Sequence, residues 1–354
     1  MKPSHPSPVR SRSRPACPSK ASGMAALAAA LALLGANPVF SQTPPGRIIM
    51  GGRAAVLVAD AVYAFPSARS RVIAVGGTDQ GLGTFLQELD PAFPSKPTLD
   101  RNAAAEVYAA YRPDLAIFKS ALKRGVGGAL ESLGVRVHYL DLETPEDYYR
   151  DLEGLGRILG EEARAAELVA YYKGVVETAA RLSSGAARKP GVLVVQSVGD
   201  AWEVPPAAWM QTRIVQMAGG APVWIGANPG DGWARVGFEQ IAAWNPDVIL
   251  VIDYRKGVDE TLARMKGDSR FALLTAGKSG MIRGFPQDFF SWDQPDTRWA
   301  LGLLWTAKTL HPDRFASLSL QTEARRFYRV LYGFDEAVFD RVVRPRLSGD
   351  HGIR

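Results

Sequence analysis

The sequence predicts an α/β protein of two Rossmann-like lobes with mostly parallel sheets, joined by one long α-helix, with a ligand cleft between the lobes. Three observations lead there. Glu161 to Ser184 carries apolar residues at Ala165, Leu168, Val169, Tyr172, Val175, Val176, Ala179 and Leu182, the spacing of one helix face. At 1.5 Å per residue such a helix is about 35 Å long, enough to cross a small domain. On either side of it, strand-like and helix-like segments alternate with short connections, the pattern of a parallel sheet covered on both faces. Both sides also contain one phrase in the same register: Glu106-Val-Tyr-Ala-Ala-Tyr-Arg-Pro-Asp-Leu before the helix, and Glu239-Gln-Ile-Ala-Ala-Trp-Asn-Pro-Asp-Val after it. Each copy reads as a short helix, a Pro-Asp stop and a buried strand.

Residues 1–41 read as a leader outside the fold. Lys2, Arg10, Arg12, Arg14 and Lys20 precede the apolar run Met24 to Gly35, and Ser41 suits cleavage, the layout of a secretory signal. The formal net charge of +6 loses those five positive charges with the leader, leaving +1. A nearly neutral chain without a basic stripe argues against nucleic acid as a partner. The single cysteine, Cys17, lies in the leader, so the exported chain has no disulfide or thiol chemistry.

The first lobe, 42–160, opens with a strand at Arg47–Met50, the turn Gly51-Gly52 and an apolar helix through Ala64. Arg71–Val75 is the next strand, followed by a helical Leu82–Leu89 and a Pro-rich loop. The strand of the repeated phrase ends at Lys119-Ser120. After a helix over Lys123–Leu133, Val135–Leu140 closes the sheet, and a helix over about 146–159 leads into the bridge at 161–184. The second lobe, 185–343, restarts with Gly191–Val195 as a strand, a loop over Ser197–Trp209 and a helix near Met210–Ala218. Val248–Ile252 and Met281–Phe285 are its further strands, helices follow Thr297 and Leu320, and 344–354 is read as a loose polar tail.

No catalytic constellation emerges. Of four histidines, His5 is in the leader, His351 in the tail, His138 on an apolar strand and His311 before Pro312. There is no nucleophile elbow, zinc-protease helix motif or phosphate loop, and no resident cofactor or metal site is expected. Loops after predicted strand ends are instead rich in aromatic and cationic residues. In open α/β sheets the ligand crevice lies outside the carboxyl ends of the strands. Trp202, Trp209, Trp233, Tyr254 and Trp292 are candidates for an apolar wall, and Arg53, Lys119, Arg255, Asp293 and Arg298 for its polar contacts, with Arg298 as an anion clamp. The alternative for any one tryptophan is a plug between the lobes. An exported enzyme on the same frame would need a poised acid–base pair, for which Asp79 and Asp293 are the candidates.

The chain resembles the substrate-binding proteins of ABC importers for iron–siderophore, haem and vitamin B12, the class with two lobes bridged by one helix. The residues that carry the resemblance are Arg47-Ile-Ile with its apolar helix, the phrase at Glu106, Leu155-Gly-Arg-Ile-Leu-Gly160-Glu-Glu, Trp233-Ala-Arg-Val-Gly-Phe-Glu239 and Asn245-Pro-Asp-Val-Ile. The resemblance implies a periplasmic, monomeric protein that delivers a metal chelate to an inner-membrane permease. It makes Glu106 and Glu239 the knobs that dock into arginine pockets of that permease, and places an aromatic at Trp233 against the ligand. Asp100 and Arg101 depart from the aromatic first-lobe region of the cobalamin binder. The stretch from Phe289 to Trp299 resembles a branch whose ligands include metal chelates and oxyanions such as molybdate, which keeps an oxyanion on Arg53, Arg255 or Arg298 as the alternative ligand.

Overall fold

A computed structural model describes residues 43–78, 80–198, 201–255 and 257–353. The first sheet is entirely parallel. Its strands are β1 (Ile48–Met50), β2 (Val72–Gly76), β3 (Thr98–Leu99), β4 (Leu115–Lys119) and β5 (Val137–Leu140), in the order β3-β2-β1-β4-β5. The second sheet is built on β6 (Gly191–Val198), with β7 (Ala201–Val204), β8 (Ala221–Pro222), β9 (Ala234–Val236), β10 (Val248–Ile252) and β11 (Ile282–Gly284). Its order is β11-β10-β6-β7-β9, with β8 beside the start of β6; β7 runs antiparallel to β6 and β9. The interior strands β4 and β10 are buried along their whole length, as continuous apolar runs in a covered parallel sheet should be.

The repeated phrase has a physical job in each lobe. Its helices span Ala105–Ala110 and Phe238–Trp244, and they run into β4 and β10 through a residue with left-handed backbone, Arg112 at φ 47° and Asn245 at φ 41°. The aspartate that follows the proline then ties down the start of the neighbouring strand. Asp114 Oδ2 accepts from the Gly46 and Arg47 amides, both at 2.9 Å, and Asp247 Oδ2 accepts from the Gly191 amide at 2.7 Å. The sequence identity between the copies is thus a shared way of pinning two parallel strands together.

The long helix spans Glu162–Ser183 and buries Ala165, Leu168, Val169, Tyr171, Tyr172, Val175 and Ala179. Val176 and Leu182 are only partly buried, and Tyr171 joins the buried face. Tyr172 stacks on Trp299 with ring centres 5.0 Å apart, and its hydroxyl donates to the Thr297 carbonyl at 2.8 Å. Arg164 near its start donates to the carbonyls of Ala64, Val330 and Leu331, and so links it to the helices Ala55–Tyr63 and Leu320–Tyr332.

Three expectations are corrected, and one stretch without an expectation is filled. Leu82–Leu89 is no regular helix: only Leu86–Glu88 forms a 3-10 turn. The amides of Gly81 and Leu82 instead donate to Tyr254 and Phe289 carbonyls in the second lobe, and Phe85 packs among Phe289, Tyr328, Tyr332 and Phe334. A Cβ on Gly81, whose φ is 84°, would fall 2.2 Å from the Phe290 ring, so glycine is required where this strap crosses. Ser197–Trp209 is a loop only beyond Val204, because β6 continues to Val198 and β7 pairs back on it. The stretch 258–278, unassigned from sequence, forms three helices beginning with Val258–Gly267. The tail is not loose: the Asp350 carboxylate accepts from the Gly284 amide, its carbonyl accepts from the Trp305 indole, and Ile353 is buried.

Arg298 is the largest correction. It is fully buried, sandwiched between the Phe85 and Phe290 rings, and bonded to Asp60 from the first lobe and to Asp288 and Asp296 from the second. Its guanidinium cannot reach a cleft ligand. Trp292 belongs to the same centre, fully buried with its indole N–H on Asp288 at 3.0 Å. Burial pushes Asp60 and Asp296 above the ordinary carboxylate range, Asp296 to about 7, although Arg298 pulls both down. Burial also works against the charge of Arg298, but Asp288, Tyr328, Asp296 and Asp60 overcome it and hold its pKa well above the usual value.

Two predictions follow from these buried charges. Arg298→Ala would strand three buried carboxylates and should lower stability by about 3–5 kcal/mol in chemical denaturation; a ligand-only effect would return Arg298 to the cleft. His138 on β5 is half-buried beside Arg136 and Arg157, and desolvation, then those charges, lower its pKa from 6.5 to about 4. The unfolded chain takes up a proton that the folded one refuses. The histidine's contribution to stability is therefore whole above pH 6.5 and falls away as pH drops towards about 4. His138→Asn should flatten the fall in stability across that window, so that its difference from wild type changes between pH 6.5 and about 4.

Candidate functional site: an inter-lobe cleft

The cleft forms where strand carboxyl ends from the two sheets face each other, as the topology of open α/β sheets requires. Arg53 follows β1, Gln80 lies beyond β2, Gln196 to Val198 end β6, and Asp253 to Arg255 follow β10. Two adjoining cavities, of about 500 and 220 Å³, share Gln80, Trp233 and Tyr254. Trp209 lines the smaller one and meets Trp233 edge to face at 5.7 Å; Trp233 in turn meets Tyr254 at 6.1 Å. The three rings make one aromatic wall, each of them half-buried.

Tyr254 is held from behind. Its hydroxyl donates to Asp293 Oδ2 at 2.5 Å, and Gln211 Nε2 reaches both at 3.2 Å. Asp293 is fully buried and also accepts from Ser291, so it supports the wall and does not line it. Burial raises the Asp293 pKa against those hydrogen bonds, and burial followed by the charge of Asp293 raises Tyr254 well above the phenol range. The phenol therefore stays protonated and its donor is committed to Asp293.

The charged lining is mixed. The larger cavity carries Glu203, Asp253 and Glu260 against Arg255 and Arg264, and the smaller carries Arg53 and Glu143. Arg264 is oriented by stacking over Trp202 at 5.5 Å and by a bond to the Ser197 hydroxyl. Arg53 Nε donates to Asn102 Oδ1 at 3.2 Å, on the first-lobe rim.

Of the residues singled out from sequence, Arg53, Trp209, Trp233, Tyr254 and Arg255 line the cleft. Lys119 does not: it is buried, bonded to the Asp141 carbonyl and paired with Glu143 at 2.7 Å. Trp202 packs on Phe271 and stands behind Arg264. Trp292, Asp293 and Arg298 lie in the supporting interior. Asp79, the other half of the acid–base pair considered for an enzyme, lies outside the described residues, as does the leader. Glu260, Thr261 and Arg264 were missed because the helix Val258–Gly267 was not read. Its signal was present in Val258, Leu262 and Met265 at helical spacing, with Asp259 and Glu260 in the first turn and Arg264 and Lys266 in the last. Among the described residues no group of three or more His, Cys, Asp or Glu is placed to hold a metal ion, and no helix is long and apolar enough to cross a membrane.

Residues 73–289 match the periplasmic binding protein family. The chain belongs to that family. As a periplasmic binding protein it is the solute-binding component of an ABC transporter, of the class with a single helix between its lobes, and its relatives are binders and not enzymes. A periplasmic solute-binding protein from Veillonella parvula shares the fold at a TM-score of 0.69 and 20% identity, over 86% of this chain and 93% of that one. The molybdate-bound MolA of Haemophilus influenzae gives 0.67 and 19%, over 83% and 95%, and CeuE of Helicobacter pylori 0.66 and 16%, over 85% and 95%. Likeness at these identities establishes the shared fold. In sequence, MolA is 32% identical over 111 residues, which is 30% of this chain and 31% of MolA's own length.

Removing the Tyr254 hydroxyl tests the support of the wall. Tyr254→Phe would deprive a fully buried carboxylate of its shortest partner outside its own loop, and should cost about 1–3 kcal/mol in urea denaturation. Unchanged stability would show that Asp293 does not depend on the phenol.

Proposed function

We propose that this periplasmic binding protein captures a metal chelate in the inter-lobe cleft and delivers it to its permease. The observation that carries the reading is a cavity of about 500 Å³, within the range of sites for organic ligands of drug size, beside an aromatic wall. A single tetrahedral oxyanion would leave most of that space to water. The lining also opposes an anion trap, since three carboxylates face two guanidiniums there. A chelate presents both apolar faces and ligand atoms of mixed charge, which suits Trp209, Trp233 and Tyr254 with Arg53 and Arg255 at the rim. Glu106 and Glu239, each exposed in the first turn of its helix, are the proposed permease contacts, one per lobe. Residues 1–41 are the proposed export signal, and the protein acts as a monomer.

A second reading, an oxyanion such as molybdate held by Arg53 or Arg255, draws on the MolA relationship. Tryptophan fluorescence titrated with ferric siderophores, haem, cobalamin and molybdate separates the two. The expected result is saturable binding of one chelate, weakened about 5- to 100-fold by Trp233→Ala, in the range of an interface hot spot. Tight molybdate binding without any chelate response would install the oxyanion. Glu106→Ala and Glu239→Ala should leave affinity unchanged and reduce transport by the reconstituted permease; altered affinity would move those residues into the cleft.

A further inference from the structure

Away from the cleft, a cavity of about 250 Å³ is lined by three arginines from three different parts of the chain. Arg69 ends the short helix Pro66–Arg69, Arg164 belongs to the bridging helix, and Arg329 lies in the last turn of Leu320–Tyr332. The only carboxylate in the lining is Glu167, already paired with Arg164 at 2.7 Å. None of the lining residues is shared with the cleft cavities. The helix Ala55–Tyr63 separates the two regions, a run of about 14 Å at 1.5 Å per residue.

The donors here are unequally used. Arg164 is committed, to Glu167 and to the carbonyls of Ala64, Val330 and Leu331, and so covers the negative ends of the helices that point into the cavity. Arg69 makes one bond, from Nε to the Tyr63 carbonyl at 3.0 Å, which leaves its two terminal amino groups without a partner among the described residues. Arg329 has one ion pair, with Glu336 at the outer limit of 4.0 Å. Burial, and after it the neighbouring Arg164, push Arg69 below its ordinary pKa against the opposing pull of Tyr332, Glu161 and Tyr63. Guanidinium forks of this kind match tetrahedral dianions, and the volume admits one such ion with water but no large chelate.

We propose that Arg69 and Arg329, backed by Arg164, form a binding site for a small tetrahedral dianion of the phosphate or sulfate class. An ion there contacts the first lobe, the bridging helix and the last long helix at once. It holds the junction of the lobes together from the side away from the cleft.

Thermal unfolding of the purified protein in phosphate, sulfate and chloride at matched ionic strength tests the site. A ligand that binds only the folded state raises stability with its concentration. The expected result is a saturable rise in Tm of about 2–4 °C with phosphate or sulfate but not chloride. Arg69→Ala and Arg329→Gln should each abolish it. Arg329 is exposed with only that distant ion pair, so its variant keeps the test valid even where Arg69→Ala destabilises the fold. A rise equal in chloride, or one that survives both substitutions, would overturn the proposal. Vesicles containing phosphatidic acid present the same group on a surface; co-sedimentation lost in Arg69→Ala would replace the free ion by a lipid headgroup.

Discussion

Everything else in this molecule is arranged around one buried guanidinium. Arg298 joins Asp60 of the first lobe to Asp288 and Asp296 of the second, between two phenylalanine rings and out of reach of water. One positive charge cannot neutralise three carboxylates, so the centre favours a retained proton, consistent with the raised Asp60 and Asp296. Such a centre is a weak source of net stability but a strong source of register, because each partner is intolerable without the others. Tyr328 and Trp292 donate to Asp288, and Tyr332 donates to the Asp60 carbonyl, extending the same constraint into the last long helix.

The strap around Phe85 acts in the same direction. Its amides are spent on second-lobe carbonyls and its aromatic ring is buried among second-lobe rings, so the lobes share a core as well as a connecting helix. The cleft is therefore framed by elements that are already joined behind it. Only a modest hinge is compatible with that arrangement, since packed interiors resist continuous deformation. The aromatic wall of the cleft is prepared in advance: Tyr254 is set by Asp293 and Gln211, and Trp233 and Trp209 lean on it in turn.

The residues chosen from sequence divide by a simple physical rule. Those immediately after a strand end, Arg53 and Arg255, reached the cleft, as did Trp209, Trp233 and Tyr254 from the flanking loops. Those in the long segment from Trp292 to Arg298 did not, because its aspartates supply enough buried partners to draw the arginine inward. A carboxylate-rich stretch around an arginine is ambiguous in one dimension. The partner that settles its direction, Asp60, is 238 residues away.

The sequence by itself determined the two α/β lobes, the bridging helix and the paired Pro-Asp phrase, because hydrophobic periodicity and stop signals act over a few residues. It also placed the cleft at the strand ends, because chain direction in a parallel sheet dictates it. Only the tertiary structure decided which charges line the cleft and which hold the lobes together. That choice turns on desolvation, and the cost of burying a charge depends on partners brought in from distant parts of the chain. The same holds for the strap at Phe85, where local helical spacing lost to hydrogen bonds and ring contacts across the lobe boundary.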